Sequence, residues 1–527
     1  MSSNVIGISR PSLPTSLTAA HVRRLTAGVV AADRETTVTG RAPYTGDPMA
    51  DLPVSSPGDV SAAFVAARRA QKHWAATPVR ERARIMLRFH DLVLARQNEA
   101  LDLIQLENGK TRRDAFLEVV DIAMTARYYA RTARKLLGAK RRAGAVPILT
   151  RTRELRHPKG VVAVISPWNY PLSMAAGDTI PALLAGNAVV QKPDTQTALT
   201  ALWAHSLLRE AGLPDDVWQI VIGSGGSIGK PLMDNANFVM FTGSTSSGRR
   251  IASAAGERLI GASLELGGKN AMLVLADADL DRAAAGAIDA CFPSTGQLCV
   301  SMERIYVDKS VRDEFVAKFI SRVENLKLGA GYDYGYDVGS LTNEAQLSTV
   351  ATHVQDAVER GATVLAGGRA RPDLGPFFYE PTVLTDVTPD MTVYRTETFG
   401  PVVSVYTVGS DDEAVAIAND TVYGLNASVW SRSRRGDAVA KRLHAGTVNI
   451  NEAFAAAWGS LDSPMGGMGD SGLGRRHGAD GLLKYTEAQT VARQRVLGFT
   501  PPRAIAYPVW AKGLTVALKV LKGVGHK

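Results

Sequence analysis

Apolar residues recur with helical spacing over residues 57–140 and form short strand-like runs after residue 160. In the run DVSAAFVAARRAQKHW, apolar positions repeat every three or four residues, which places them on one helix face. Later runs such as GVVAVIS and NAVVQKP are rich in β-branched residues and alternate with helical segments. This alternation is typical of βαβ units around a parallel sheet. The pattern predicts a helical region followed by an α/β domain.

A second alternating set follows Glu265, with strand-like runs such as ERIYVDK, PVVSVYTV and GTVNIN between helical ones. Two α/β domains fit this pattern better than one, and a length of 527 residues exceeds what a single hydrophobic core supports. Residues 149–157 and 489–497 alternate charged and apolar side chains outside both sets. We interpret them as an oligomerisation arm, with solvated edge strands as the alternative.

The two ends of the chain differ from the rest in composition. Residues 1–30 begin with a Ser- and Pro-rich stretch that lacks the apolar core of a signal peptide, so we expect a flexible arm. From Pro501 the chain carries leucines and lysines at helical spacing, which predicts a basic amphipathic helix of about ten residues. Such a helix could touch a membrane surface, but packing on its own subunit is the favoured interpretation. The residues concerned are Leu514, Leu518, Leu521, Lys512, Lys519 and Lys522.

Composition and charge exclude several classes of protein. A hydrophobic fraction of 45% and a charged fraction of 21% describe a soluble globular protein. The net charge of +9 includes a basic cluster within residues 131–142. That cluster lacks the interleaved aromatic residues of nucleic-acid platforms, so we interpret it as a solvated helix face. A mild positive field would favour a phosphate-bearing cofactor or an acidic substrate.

The chain contains two cysteines, Cys291 and Cys299, which argues against a disulfide framework and for a reducing, cytoplasmic location. No HExxH or CxxC motif occurs, so we expect no metal site. Cys291 continues an apolar helical stripe and is expected in the core. Cys299 instead ends the segment FPSTGQLC, where a loop enters a new element and a thiol can be activated as a nucleophile.

Three other segments place polar groups where ligands bind. In SLELGGKN, Glu265 precedes two glycines, and a buried carboxylate there could act as a general base. In ISPWNYP, Asn169 follows a strand and could donate a hydrogen bond to an oxyanion. The segment FTGSTSSG, residues 241–248, opens a helix after a strand, and its N–H groups suit a diphosphate.

These segments, together with ETFGPV, YGLNASVW and PMGGMGDSGLGRRHG, resemble the aldehyde dehydrogenase superfamily from about residue 35 to residue 495. The motif order and the 34-residue spacing from Glu265 to Cys299 are those of the family. The resemblance implies an α/β fold with two doubly wound domains and a small β oligomerisation arm. It also implies that Cys299 is the nucleophile, Glu265 the general base and Asn169 the oxyanion donor.

The resemblance further implies a nicotinamide cofactor and a division of the chain. Implied cofactor-binding residues are Ser166, Trp168, Lys192, Thr195, Gly243, Ser244, Glu397 and Phe399. The expected parts are a flexible arm (1–30), a cofactor-binding domain (31–147 and 160–264), a catalytic domain (265–488), an oligomerisation arm (148–159 and 489–500) and an amphipathic tail (501–527). Family members assemble as homodimers or homotetramers, so we expect such an assembly, with no nucleic-acid partner and no membrane contact.

Glu265 and Thr195 indicate which reaction the enzyme catalyses and which cofactor it prefers. Relatives that transfer the acyl group to coenzyme A lack the equivalent of Glu265, so its presence predicts hydrolysis to a free acid. NAD-preferring relatives carry Glu at the position of Thr195, so its loss predicts that NADP is preferred and NAD is possible. A carboxylate of Asp194 turned toward the ribose would reverse this preference.

For the substrate, the segments GQLCVSMERIYV and LLKYTEAQT are most similar to succinate-semialdehyde dehydrogenases of the actinobacterial second type. Studied enzymes of that specificity hold the substrate carboxylate with two arginines, where this chain has Gly177 and Pro293. Either another cation serves, or the substrate is an uncharged medium-chain or aromatic aldehyde in a tunnel lined by Tyr170, Phe454 and Trp458. An inert structural protein is the alternative of another class. Ser294 replaces the Asn usual in the family, so a hydrogen bond in the nucleophile loop is expected to be weaker.

Overall fold

The computed structural model describes residue 14, residues 16–145, 150–494 and 500–523, and residue 525. An amino-terminal helical region leads into two large α/β sheets, which a small antiparallel sheet accompanies. The first region contains α1 (Ala19–Thr26), β1 (Thr37–Arg41), β2 (Pro48–Pro53), α2 (Pro57–Ala76), α3 (Val79–Ala95), α4 (Gln97–Asn108) and α5 (Arg112–Leu137).

The ends of these helices follow from local chemistry. The Ser56 side chain accepts from the Asp59 N–H, and the Asp59 carboxylate accepts from the Ser56 N–H, so a capping box starts α2. Within the helical spacing of residues 57–140, the uninterrupted run over residues 80–110 forms two helices, because the backbone leaves helical geometry at Arg96. Gly109 ends α4 at φ 80°, where a Cβ would collide with Ser340.

The first large sheet has six strands in the described residues, in the order β17-β9-β8-β5-β6-β7. Its strands are parallel except β17, and valines alternate between two buried layers, one under α2 and one under α5 to α7. Its elements are β5 (Val161–Ser166), α6 (Pro171–Leu184), β6 (Ala188–Pro193), α7 (Ala198–Glu210), β7 (Trp218–Ile220), α8 (Gly225–Asn235), β8 (Phe238–Thr242), α9 (Thr245–Glu257), β9 (Gly261–Glu265), β17 (Gly472–Leu473) and α17 (Gly478–Leu483).

The second large sheet has seven strands in the part of the chain described, ordered β12-β13-β14-β11-β10-β15-β16, with only the β12–β13 pair antiparallel. Apolar layers again cover both faces. Its elements are β10 (Asn270–Val274), α10 (Leu280–Cys291), β11 (Met302–Asp308), α11 (Arg312–Glu324), α12 (Glu344–Glu359), β12 (Thr363–Ala366), β13 (Thr382–Thr385), α13 (Thr392–Arg395), β14 (Val402–Val408), α14 (Asp411–Asn419), β15 (Asn426–Trp430), α15 (Arg435–Ala440), β16 (Thr447–Ile450) and α16 (Ala455–Gly459).

The predicted arm forms an antiparallel sheet of β3 (Lys140–Arg142), β4 (Thr150–Pro158) and β18 (Thr486–Gln494), in the order β18-β4-β3. The sequence pattern gave no signal for the three-residue β3. Residues 148–149 and 495–499 of the predicted arm lie outside the described residues.

Other segments differ from their predicted assignments. Most of the expected flexible arm before residue 16 lies outside the described residues, but α1 within it is a helix whose Leu25 is buried in the first core. The segment 472–483, which the domain boundaries assign to the catalytic domain, returns to the first sheet, where Gly472 pairs with Glu265. A two-residue, glycine-rich strand has no periodicity from which this return could be predicted.

The tail forms α18 (Tyr507–Gly523), which is longer than the ten residues expected. None of its residues is fully buried, and Trp510, Leu514 and Leu521 are half-buried, so packing on its own subunit stays a prediction. Among the helices of the described chain, none has the length and apolar character needed to cross a bilayer.

We predict that the packing of α2 on the first sheet can be tested at two adjacent residues. Phe64 is fully buried between α2 and the sheet, whereas Val65 is 65% exposed. Phe64→Ala should lower the free energy of unfolding by about 3 to 5 kcal/mol, because it leaves a cavity in a close-packed layer. Val65→Ala should change it by less than about 0.5 kcal/mol. Equal urea midpoints for the two variants would contradict this packing.

Candidate active site

A cavity of about 300 Å³ lies where the carboxyl edge of the first sheet meets the amino edge of the second. Residues 167–170 follow β5, residues 243–244 follow β8, and Glu265 ends β9. Leu298, Cys299 and Val300 precede β11. All of these residues line the cavity. Two separate sheets therefore supply the predicted nucleophile and the predicted base to one space.

Cys299 is partly exposed toward this cavity, and Asn270 fixes its backbone. The Asn270 side-chain amide donates to the carbonyl oxygens of Cys299 (2.8 Å) and Ser301 (2.7 Å). Burial raises the pKa of the Cys299 thiol to about 12, although the nearby Arg476 opposes the shift. The thiol is therefore protonated at neutral pH and needs a base before it can attack a carbonyl.

The loop before Cys299 runs through left-handed backbone. Ser294 and Thr295 have φ of 51° and 59°, and Gly296 has φ of 71°. The Ser294 hydroxyl donates to the Tyr170 hydroxyl (2.9 Å), and the Gln297 side chain donates to the Ser294 carbonyl (3.1 Å). Ser294 thus has a hydrogen bond that ties the loop to the turn after β5.

Glu265 lies at the end of β9, and burial raises its pKa to about 7 against the opposing effects of Arg476 and Lys484. Its Oε1 atom has no hydrogen-bond partner among the described residues. A carboxyl group with this pKa can both accept and release a proton near neutral pH. The arrangement suits a general base.

Asn169 is positioned from behind by a buried ion pair. The Lys110 ammonium donates to the Asn169 carbonyl (2.7 Å) and pairs with Glu118 (2.8 Å), and both charged side chains are fully buried. Glu118 also accepts from the N–H groups of Leu172 and Ser173 at the start of α6. The Asn169 amide nitrogen donates one hydrogen bond to the Gln297 carbonyl (3.0 Å), which connects this turn to the nucleophile loop.

The cavity wall beside Glu265 carries a cluster of two cations and one carboxylate. The Arg476 guanidinium donates from Nε to Asp178 (3.1 Å) and from Nη2 to both Asp178 and Thr242. The Lys484 ammonium lies 3.8 Å from the same carboxylate. The remaining arginine nitrogen, Nη1, donates to the Met174 sulfur (2.9 Å), which is a weak acceptor. The cluster therefore carries excess positive charge toward the cavity.

Several predicted cofactor-binding residues line the same cavity, namely Trp168, Gly243, Ser244, Glu397 and Phe399. The Trp168 and Phe399 rings meet edge to face at 5.6 Å. Glu397 accepts from the Gly268 N–H (2.9 Å), and burial raises its pKa to about 8. A Cβ at residue 267 would collide with the Glu397 carboxylate, which explains why glycine is needed there.

Three predicted cofactor-binding residues lie outside the cavity lining, at or just after the carboxyl ends of β5 and β6. Ser166 is buried and accepts from Gln191 (3.0 Å). The Lys192 ammonium donates to the Pro193 carbonyl (3.3 Å), and burial lowers its pKa. Thr195 begins a 3-10 helix (Thr195–Thr197), and the Asp194 carboxylate accepts from the Gln196 N–H at its start (2.9 Å).

The opposite side of the cavity is apolar. The predicted substrate residues Tyr170, Phe454 and Trp458 all line it, with Leu117 and Met174. Phe454 and Trp458 contact edge to face at 6.4 Å. Gly177 also lines the cavity, whereas Pro293 does not.

Sequence reasoning assigned no role to Asn270, Lys110, Glu118, Asp178 or Arg476. A signal for Glu118 exists, because this carboxylate falls on the apolar stripe of α5 with Ile122, which should exclude a charge unless a partner is present. The same signal exists for Asp178, which lies among buried apolar residues within α6. Asn270, Lys110 and Arg476 lie in loops or at the start of a short strand, where spacing carries no such signal. Among the residues described, no group of three His, Cys, Asp or Glu side chains could hold a metal ion.

Comparisons with known proteins agree with this geometry. Residues 29–491 match the model of the aldehyde dehydrogenase family. A protein of Mycolicibacterium smegmatis named "Putative succinate-semialdehyde dehydrogenase [NADP(+)]" is 54% identical over 480 residues, which cover 91% of this chain and 93% of that protein.

Solved structures show the same likeness. The fold is similar to that of succinate-semialdehyde dehydrogenase from Burkholderia pseudomallei, with a TM-score of 0.84 and 34% identity over 88% of this chain and 96% of that one. It is also similar to betaine aldehyde dehydrogenase from Staphylococcus aureus in complex with NAD+, with a TM-score of 0.85 and 30% identity over 89% and 94% of the two chains. The chain belongs to the aldehyde dehydrogenase family.

Proposed function

We propose that this enzyme oxidises succinate semialdehyde to succinate with NADP(+) through a thioester on Cys299. The observation that carries the proposal is a single cavity lined by the Cys299 thiol, the Glu265 carboxyl and the Arg476 guanidinium. These three groups supply a nucleophile, a base and a cation for a substrate carboxylate.

The first step is addition of the Cys299 sulfur to the aldehyde carbon. Because the thiol is protonated at neutral pH, its proton passes to a base, and Glu265 has a free carboxyl oxygen and a pKa of about 7 for this role. The alkoxide that forms needs hydrogen-bond donors. The second hydrogen of the Asn169 amide nitrogen and the Cys299 N–H serve as these donors.

The nicotinamide cofactor, when bound, supplies the hydride acceptor that turns the tetrahedral adduct into an acyl thioester. The N-terminus of α9 at Ser244 and the half-buried side chains of Glu397 and Lys192 fit a dinucleotide. Glu265 first passes the thiol proton to solvent. The free carboxylate then removes a proton from water, and the resulting hydroxide attacks the thioester carbon. The acid leaves and the Cys299 sulfur is released.

The substrate carboxylate is assigned to Arg476 rather than to residues 177 and 293. Arg476 and Lys484 share the one Asp178 carboxylate, and Arg476 Nη1 donates only to a weak sulfur acceptor among the described residues. A substrate carboxylate would neutralise the excess charge and accept from Nη1. The names of the mycobacterial relative and of the Burkholderia structure agree with this substrate.

A second candidate substrate class is the uncharged medium-chain or aromatic aldehydes, which the apolar wall formed by Phe454, Trp458 and Leu117 favours. An inert structural role is disfavoured, because the thiol, the carboxyl and the amide of the proposed machinery line one cavity. We also propose a homodimer or homotetramer in the cytoplasm. The exposed edge of the β18-β4-β3 sheet supports the assembly, and two unpaired cysteines support a reducing location.

The preference for NADP(+) rests on the surroundings of Thr195. The Asp194 carboxylate caps the 3-10 helix and accepts from the Gln196 N–H, and it also interacts with the Lys192 ammonium. These interactions offset part of its repulsion of a phosphate on the ribose. The Lys192 ammonium, which donates to the Pro193 carbonyl, supplies a cation nearby. The name of the mycobacterial relative includes NADP(+).

We predict that Glu265 controls turnover and its pH dependence. The kcat should rise with pH through about 7, because the deprotonated carboxylate is the active form. Glu265→Gln should slow the burst of reduced cofactor, because the Cys299 thiol loses its base, and should lower kcat by roughly 10² to 10⁴. Asp121→Asn is the control, since Asp121 lines the same cavity and burial also raises its pKa to about 7. If the inflection of kcat against pH is lost in Asp121→Asn, or if turnover is unchanged in Glu265→Gln, Glu265 is not the general base.

We predict that Thr195→Glu reverses the cofactor preference. The added carboxylate would repel a 2′-phosphate and accept from ribose hydroxyls. The ratio of kcat/KM for NADP(+) over that for NAD+ should fall at least about tenfold, which corresponds to about 1.4 kcal/mol. Thr349→Glu is the control, because Thr349 is exposed. Thr200→Glu would not serve, since Thr200 is buried. A wild-type enzyme that strongly prefers NAD+ would refute the proposal.

We predict that Arg476 recognises the substrate carboxylate. In Arg476→Gln, kcat/KM for succinate semialdehyde should fall roughly 10 to 100 times more than for butanal, which has the same number of carbons and no carboxylate. Arg475→Gln is the matched control, because Arg475 lies next to it but outside the cavity lining. An equal fall for both aldehydes would assign Arg476 to the chemistry of Glu265 and would favour the uncharged substrates.

A further inference from the structure

Helix α18 is strongly amphipathic. On a helical wheel with 100° per residue, the three lysines and the one threonine of α18 fall within an arc of about 80°. The remaining face, about 220° wide, carries large apolar residues. The polar arc consists of Lys512, Thr515, Lys519 and Lys522, and the apolar face contains Tyr507, Val509, Trp510, Leu514, Val516, Leu518, Val520 and Leu521.

Most of the apolar face of α18 is exposed to solvent, although Trp510, Leu514 and Leu521 are half-buried. Val509, Leu518 and Val520 are 66%, 67% and 57% exposed, and no residue of the helix is buried. An apolar stripe of this size is normally covered in a soluble protein. The exposed part of this face is therefore available to a surface outside the described subunit.

The charge of the tail indicates what that surface is. Residues 501–527 contain five Lys or Arg and no Asp or Glu. In α18, every charged side chain is a lysine on one narrow arc, next to a wide apolar face. This combination is the signature of helices that lie in the plane of a membrane surface, with the apolar face among acyl chains and the lysines against anionic headgroups.

A second copy of the chain is a poorer occupant. Two tails meeting through their apolar faces would bring lysines of both copies together, and neither tail has an acidic residue with which to pair them. The tail also lies beyond residue 491, where the match to the family domain ends. The helix is thus an addition to the catalytic domain rather than part of it.

We infer that α18 binds the enzyme reversibly to the surface of an anionic lipid bilayer. The three lysines provide the attraction, and the valines and leucines enter the boundary between headgroups and acyl chains. This inference does not depend on the proposed substrate or cofactor. Because none of its residues lines the active-site cavity, catalysis in solution should be independent of the tail.

Vesicle sedimentation of the full-length enzyme tests the inference. The enzyme should sediment with vesicles of phosphatidylcholine and phosphatidylglycerol in equal amounts, and far less with phosphatidylcholine alone. Salt should release it, because the headgroup attraction is screened. Equal binding to both kinds of vesicle, or binding to neither, would overturn the inference.

The apolar face has a matched control. Val509→Asp should weaken binding to the anionic vesicles at least about tenfold, whereas Val65→Asp, at an equally exposed helical position outside the tail, should not weaken it. Both variants should keep wild-type aldehyde oxidation in solution. If the two variants bind equally, the tail is not the docking element and the inference is wrong.

The lysines are tested in the same way. Replacing Lys512, Lys519 and Lys522 by Gln should weaken binding roughly 100-fold, and replacing the exposed Lys72, Lys230 and Lys441 by Gln controls for the loss of net charge. Sedimentation velocity without lipid separates the alternative occupant. If Val509→Asp lowers the mass of the assembly while vesicle binding is absent from the wild type, a second copy covers the helix and the membrane proposal fails.

Discussion

The buried ion pair between Lys110 and Glu118 is the constraint on which the active-site geometry depends. Two charges without solvent contact are costly unless every donor and acceptor is used. Here the ammonium also donates to the Asn169 carbonyl, and the carboxylate accepts two N–H groups at the start of α6. These hydrogen bonds fix the turn after β5, and through Asn169 they fix the loop that carries Cys299. Loss of either charge would leave the other uncompensated beside the nucleophile.

Burial also sets the protonation states of the reacting groups. Burial raises the pKa of Cys299 far above neutrality and that of Glu265 to about 7, while Arg476 acts against both shifts. The thiol alone would be inert, and a solvated glutamate would be too weak a base to activate it. A cavity that weakens the nucleophile and strengthens the base couples the two groups into one proton-transfer unit.

The sequence predicts the sheets and the reacting side chains better than their supports. The apolar runs of β5, β6 and β8 have local signals, because burial on both faces of a sheet leaves a pattern in neighbouring residues. Glu265 and Cys299 also have local signals, because both stand beside glycine-containing loops. Asn270, Lys110 and Arg476 act on partners 29 to 298 residues away in the chain. No local pattern records such contacts. The return of Gly472 to the first sheet was missed for the same reason.

The backbone before Cys299 shows how the fold maintains an unfavourable conformation. Left-handed geometry at two successive residues with side chains costs of the order of 1 to 3 kcal/mol each. Gln297 offsets this cost, since it donates to the Ser294 carbonyl and accepts from the Thr342 N–H (2.9 Å), while Ser294 itself bonds to Tyr170. Gly296 completes the turn against the Gly400 carbonyl, where a Cβ would not fit. Because both large domains supply these partners, the thiol is held in place only when the two domains are correctly packed.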